Sequence, residues 1–164
     1  FTHCLALGYR RIGLALAADV SRRLEDRWWA GYLVAQHGLA PRQRIPALMP
    51  ATQDGVGEQL TAWIARYQVE AVIFSIRNPN LMSVAPFSVG LISLSAQTAA
   101  SGVAGICQNT AQVGTDAIDL LVAKLHRWDT GPVSAPRLHL VPGEWRDGPS
   151  APGPGRIRRT LVGS

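Results

Sequence analysis

Arg11-Ile12-Gly13-Leu14-Ala15-Leu16-Ala17 is a nearly unbroken apolar run. Its length and composition suit a strand buried on both faces of a parallel sheet, where covering helices leave no face that needs polar side chains. Working outward, Phe1 to Gly8 read as the last turns of a helix closed by glycine. Beyond the run, Asp19 or Ser21 offers an N-cap, and Leu24, Trp28, Gly31, Tyr32 and Ala35 recur at helical spacing as far as Gly38. A strand followed by an amphipathic helix is the repeating unit of an α/β fold.

The unit recurs downstream. Pro46 to Met49 is a strand candidate, and Asp54 can cap a helix with Leu60, Trp63, Ile64 and Tyr67 on one stripe. Val69 to Ser75 reads as a second buried strand. Asn78-Pro79 then supplies an N-cap and a first helical residue, since proline has no N–H to lose there. Only a short helix fits before Val89 to Leu94, a third buried strand. A loop from Ala96 to Gly105 leads to Ile106-Cys107-Gln108 and the longest helix, capped by Asn109 and ended by Gly131-Pro132. Its stripe is Val113, Ile118, Leu121, Val122, Leu125 and Trp128, and Arg137 to Val141 reads as a last strand. This alternation predicts a parallel sheet with right-handed crossovers in a three-layer αβα arrangement. From Gly148 the chain is Pro, Gly, Ser and Arg, and residues 149–164 are expected to form a disordered tail.

Composition narrows the function. The 164 residues are 47% hydrophobic and 16% charged, with mean hydropathy +0.08, which fits a globular domain with a sizeable core. No apolar stretch approaches the roughly 20 residues needed to cross a bilayer. The formal net charge is +5, from 16 Lys+Arg against 11 Asp+Glu, but Arg156, Arg158 and Arg159 lie in the terminal tail. The rest reads as an ordinary surface balance without a basic helical stripe, so DNA contact by this segment itself is not expected. Two cysteines, Cys4 and Cys107, make neither a disulfide framework nor a metal site: His3 lies beside Cys4, but a tetrahedral site needs about four ligands, and His37, His126 and His139 show no paired spacing with either cysteine. No metal and no cofactor is expected. No Gly-x-Ser-x-Gly elbow, Gly-x-Gly-x-x-Gly or Walker pattern is present, and Glu25-Asp26 are neighbours expected to point different ways on a helix. An enzyme is therefore not expected. Because the chain begins at Phe1 and its first element reads as a helix end, an upstream region is expected as well.

Open α/β sheets bind ligands beyond the carboxyl ends of their strands. That rule selects Asp19 to Arg23 with Arg27, then Arg77-Asn78, then Ser95 to Gln97, all able to hydrogen-bond hydroxyls or a small anion. Each has a plainer reading. Arg27 can pair with Glu25 or Asp26 in solvent, Trp28 can serve the core rather than stack on a ligand, and Asn78 is explained as an N-cap.

Four phrases add a resemblance. Leu7-Gly8-Tyr9-Arg10-Arg11-Ile12-Gly13 resembles the "LGHRRIG" strand entry of the LacI/GalR family of bacterial transcription regulators, and Asp26 to Tyr32 resembles its "R-x-x-G-F/Y" helix. Gln108-Asn109 with Val113, Gly114, Ala117, Leu120 and Leu121 resembles its late helix, and Pro142 to Gly148 its closing segment. Together they span residues 1–148 in the family's order.

The resemblance implies the C-terminal effector-binding domain of such a regulator, truncated at its N-terminus, with a periplasmic-binding-protein-like architecture of two lobes around a cleft. Residues 1–95 would form one lobe, 96–135 a crossover and a helix near 109–128 belonging to the other, and 136–148 a returning strand. The implied partners are a small carbohydrate-like effector, a second copy in a homodimer, and operator DNA through a headpiece outside this chain; no membrane is implied, and the setting is cytoplasmic. With Arg22 from the strand-end rule, the expected ligand-binding set is Arg22, Arg27, Trp28, Asn78, Ser95 and Gln108, in which the resemblance matches Asn78 to the family's polar residue after the middle strand and Gln108 to its crossover glutamine. The family's effector-gripping arginine falls on Trp28 here, with Arg27 one place off, and its acidic residue after the late strand falls on Ser95. An aromatic between Pro50 and Gly55 is missing, and Leu81 to Pro86 is too short for the usual helix and turn. The solute-binding component of a sugar transporter shares the architecture and is the alternative.

Overall fold

The computed structural model describes residues 1–51, 56–75, 85, 86, 88–96, 102–128, 131, 135 and 137–154. Five strands form one sheet in chain order: β1 (Ile12–Leu16), β2 (Ala71–Ser75), β3 (Gly90–Ser93), β4 (Ala104–Cys107) and β5 (Glu144–Arg146). The first four are parallel and β5 runs antiparallel to β4. Helices α1 (Thr2–Ala6), α2 (Ala18–Arg23), α3 (Arg27–His37), α4 (Val56–Tyr67) and α5 (Thr110–His126) accompany them, with a 3₁₀ turn at Pro41–Gln43. The Pro46 to Met49 candidate is a single parallel bridge, Ala15 to Leu48, on the free edge of β1. Leu16 N donates to Leu48 O at 2.9 Å and Leu48 N to Leu14 O at 2.8 Å.

Alternation inside these apolar strands divides the core in two. Ile12, Leu14 and Leu16 of β1, Ala71 and Ile73 of β2 and Ile92 of β3 pack with Cys4, Tyr9 and Tyr32 on one face. Ala15, Val72 and Leu91 turn the other way, onto Val56, Leu60, Trp63 and Ile64 of α4. Side chains of consecutive strand residues point to opposite faces, so a strand apolar throughout needs cover on both, and it has it. Each large aliphatic side chain buried this way contributes roughly 1.5–3 kcal/mol.

Two glycines fit this packing to its aromatics. A Cβ on Gly13 would lie 2.1 Å from Cη2 of Trp63, and one on Gly90 would lie 2.4 Å from the Tyr9 hydroxyl. The Trp63 indole N–H donates to Pro46 O at 3.0 Å, and the Tyr32 hydroxyl sits 2.7 Å from Ile45 O and 3.1 Å from Ile12 O. Buried polar atoms on these aromatics are thus satisfied, which removes the main cost of burying them.

Several expectations need correction. The helix expected from Asp19 or Ser21 to Gly38 is two helices, because Glu25 and Asp26 adopt left-handed backbone at φ 51° and 56°. Ser21 Oγ donates to Asp26 Oδ1 at 2.5 Å and Asp26 N to Ser21 O at 2.9 Å, which holds the break; Glu25-Asp26 therefore sit in a turn. Neither proposed cap operates: α2 begins after Ala17 without a side-chain cap. Asn109 does occupy the N-cap of α5, yet it is left-handed (φ 49°) and its Nδ2 donates instead to Pro142 O at 3.0 Å. Helix α5 stops at His126, short of Gly131-Pro132.

The last strand lies at Glu144–Arg146, and Arg137 to Val141 is irregular. The expected tail also starts too early, since Ser150, Ala151 and Gly153 are buried. Ser150 Oγ donates to Leu91 O at 2.6 Å and accepts from Ala104 N at 2.8 Å, while Leu91 N donates to Ser150 O at 2.7 Å. These bonds occupy strand groups where β3 and β4 diverge. Asp54 and the expected helix after Asn78 lie outside the described residues.

Candidate ligand-binding rim

Parallel strands end together. Leu16, Ser75, Ser93 and Cys107 therefore deliver their following residues to one edge of the sheet. At the usual strand spacing, β1 and β4 are about 14 Å apart, wide enough for a small organic molecule. The segment after β2, 76–84, is outside the described residues, so the described rim consists of Ala17 to Arg22, Leu94-Ser95 and Gln108-Asn109.

Its β3–β4 corner is tied down by polar contacts. Ser93 Oγ accepts the Ser95 N–H at 3.1 Å, and Gln108 Nε2 donates to Leu94 O at 3.0 Å. Ala96 N donates to Ile106 O at 2.9 Å, which fastens the outgoing loop to β4. The strands can come this close because position 105 is glycine: a Cβ there would stand 2.1 Å from Ser93 O. Ser95 and Gln108 are thus neighbours, both exposed. The Ser95 hydroxyl and the Gln108 amide carbonyl can each bond a ligand hydroxyl.

Arg22 is exposed on the last turn of α2, beyond the end of β1. Arg27 is exposed on the first turn of α3, with its guanidinium 2.6 Å from Glu25 Oε2. Trp28 packs partly buried against the core shared by α1, β1 and α3. The structure thus joins Ser95 to Gln108 and leaves Arg27 in a solvent ion pair; Asn78 lies outside the described residues.

Sequence reading also passed over a contact between α5 and the segment before β5. Asp116 Oδ1 accepts from Gln112 Nε2 at 2.6 Å, and Asp116 Oδ2 lies 2.9 Å from His139 Nε2. These bonds hold the Asp116 carboxyl below its ordinary range, Gln112 first and His139 second. Asp116 is half-buried, while His139 is exposed, as are Leu138 and Leu140 beside it. A 23-residue separation leaves no local signal for such a contact. Elsewhere, burial raises the pKa of the Cys4 thiol, which makes it a packing residue rather than a nucleophile. Among the described residues no group of three His, Cys, Asp or Glu side chains could hold a metal, and no helix is long and apolar enough to cross a membrane.

No protein-family model matches the chain, and no curated protein does. Solved structures do. The transcription regulator CcpA of Lactococcus lactis aligns over 90% of this chain and 58% of its own at 15% identity, with a TM-score of 0.57. A LacI-family transcriptional regulatory protein from Corynebacterium glutamicum aligns over 94% of this chain and 62% of its own at 21% identity, with a TM-score of 0.58. At these identities the likeness establishes the fold: the mixed α/β architecture with a mostly parallel five-stranded sheet is shared with LacI-family regulators. The chain spans about three fifths of the length of each.

Proposed function

We propose that this chain is the effector-sensing and dimerisation part of a cytoplasmic bacterial transcription regulator of the LacI type. One observation carries the reading: the strand ends converge on a rim whose Ser95–Gln108 corner is polar, in a fold that aligns over nine tenths of the chain with two transcription regulators. The ligand is a small carbohydrate-like molecule, bound by hydroxyl contacts from Ser95 and Gln108 with Arg22 and the residue at Asn78 completing the rim; Arg27 joins by leaving Glu25, and Trp28 offers its exposed edge. Residues 1–95 belong to one lobe and α5 to the other. Closure of the lobes on the ligand shifts the population of a DNA-competent homodimer. Both aligned structures are of regulators rather than enzymes, which supports a binding role without turnover.

Operator binding separates the parts. A longer protein that carries an upstream DNA-binding headpiece is expected to bind a palindromic operator with an affinity that falls with salt and responds to the effector. The 164-residue chain alone is expected to leave the same operator unshifted in a gel. Specific operator binding by this chain alone would contradict the division of labour.

A further inference from the structure

At the amino edge of the sheet, opposite the ligand rim, the chain gathers arginines that are scattered in sequence. Arg10 and Arg11 enter β1, Arg42 lies in the 3₁₀ turn with Arg44 just after it, and Arg66 is in the last turn of α4. They form one surface because Arg11 joins its pieces: its guanidinium donates to Arg42 O at 2.7 Å and to Gln68 O at 3.1 Å, and it also bonds Tyr67 O. Arg44 is fixed in the same manner, donating to Leu39 O at 3.0 Å and His37 O at 2.9 Å. Backbone carbonyls orient these guanidinium groups but do not neutralise them. The carboxylate seen against them is that of Glu70, whose Oε2 is already engaged by the Arg10 and Arg11 backbone N–H groups at 2.6 and 3.1 Å. None of the five arginines forms an ion pair among the described residues.

Beside this surface lies a concavity of about 290 Å³ lined by Leu33, Gln36, His37, Arg44, Ile45 and Pro46. Leu33 and Pro46 give it exposed apolar walls. Gln36 does not compete for a ligand there, since its Oε1 accepts from Ile45 N at 2.6 Å. The size fits one apolar side chain, while Arg44 stands on the wall and Arg42 next to it.

We infer that this edge is a docking surface for an acidic peptide segment of a partner protein, with one aliphatic side chain seated in the concavity and flanking carboxylates on Arg42, Arg44 and Arg66. Charge complementarity selects the acidic partner, and the Arg44 guanidinium, held by Leu39 O and His37 O, is preoriented for a carboxylate. A single-stranded nucleic acid is disfavoured because its bases need aromatic platforms on which to stack. The aromatic on this edge, Tyr67, is half-buried, set edge-on to Trp63 and covered by Arg66, 5.5 Å from its ring centre. This surface is independent of the ligand rim and of the regulator reading.

Fluorescence anisotropy of the 164-residue chain tests it, with a short labelled peptide of glutamates around one leucine as probe. Saturable binding that weakens with added salt is expected, and little binding by the same peptide with glutamines in place of glutamates. Arg42→Ala with Arg66→Ala is expected to weaken the probe about tenfold, since each exposed charge contact contributes only a fraction of that. Neither side chain makes a hydrogen bond or ion pair among the described residues, so the fold is expected to survive. Leu33→Ser is expected to weaken the leucine peptide but not an all-glutamate one, and Arg146→Ala, on β5, to change nothing. No saturable binding, an affinity unmoved by the arginine pair, or tighter binding of a labelled oligothymidylate would overturn the inference.

Discussion

Gly13 shows how closely single residues are constrained here. Its missing side chain is the space into which Trp63 projects, and Trp63 is in turn tied to Pro46 O at 3.0 Å. Gly13→Ala would force the indole to give way and is expected to destabilise the fold by about 1–3 kcal/mol, the usual cost of overpacking a close-packed core. Urea unfolding checks this; an unchanged midpoint would mean the indole moves freely. Tyr32 carries a different signature. Burial raises its pKa far above the ordinary value, and burial also raises that of Tyr9. A phenol that holds its proton more tightly when folded contributes stability that is fully present below the unfolded value, about pH 10, and lost as pH climbs beyond it. Stability is therefore expected to fall above about pH 10, and Tyr32→Phe to flatten that fall, as followed by circular dichroism in urea at increasing pH. A slope identical in the variant would assign the alkaline loss to other groups.

Among the elements, the strands covered on both faces were the most legible and the breaks the least. The run at Ile12–Leu16 and the runs ending at Ser75 and Ser93 could be read from sequence because a doubly covered strand must be apolar throughout. The division of α2 from α3 could not, since Leu24-Glu25-Asp26 contains neither glycine nor proline and the turn is made by a side chain five residues back, Ser21. Glu25 pays for its left-handed backbone there. Glu25→Gly removes that strain and leaves only an exposed ion pair with Arg27 unmade, so a gain of up to about 1 kcal/mol is expected. A fall in thermal midpoint would show instead that the Glu25 pair outweighs the strain. Ser150 was equally hidden, because a serine in a Pro/Gly-rich stretch carries no periodic signal, although its bonds to Leu91 and Ala104 place it within the sheet. The apolar stripe of α5 was foreseen, but its surroundings were not: Val113, Ile118, Leu121, Val122 and Leu125 are exposed, as is Trp128 just past the helix end, and the helix buries none of its residues.

For the molecule as a whole, strand order and direction decide what the fold can do. Four parallel strands place their carboxyl ends on one rim, where Ser95 and Gln108 meet through Leu94, and their amino ends on the opposite edge, where the arginines collect. Strand-end logic made the rim legible in advance. The arginine edge escaped because its members come from loops and a helix end far apart in sequence, and a net charge of +5 gives no hint of where the charge sits. The proposed ligand site and the proposed docking surface thus lie at opposite ends of the same strands. An NMR titration of the isotope-labelled 164-residue chain with a panel of mono- and oligosaccharides probes the rim directly. At least one sugar is expected to shift the amides of Ala17 to Arg22, Ser95 and Gln108 together, with those of Arg42 and Arg44 unmoved. Shifts confined to the arginine edge, or no shift on the rim with any sugar, would contradict the proposed ligand site.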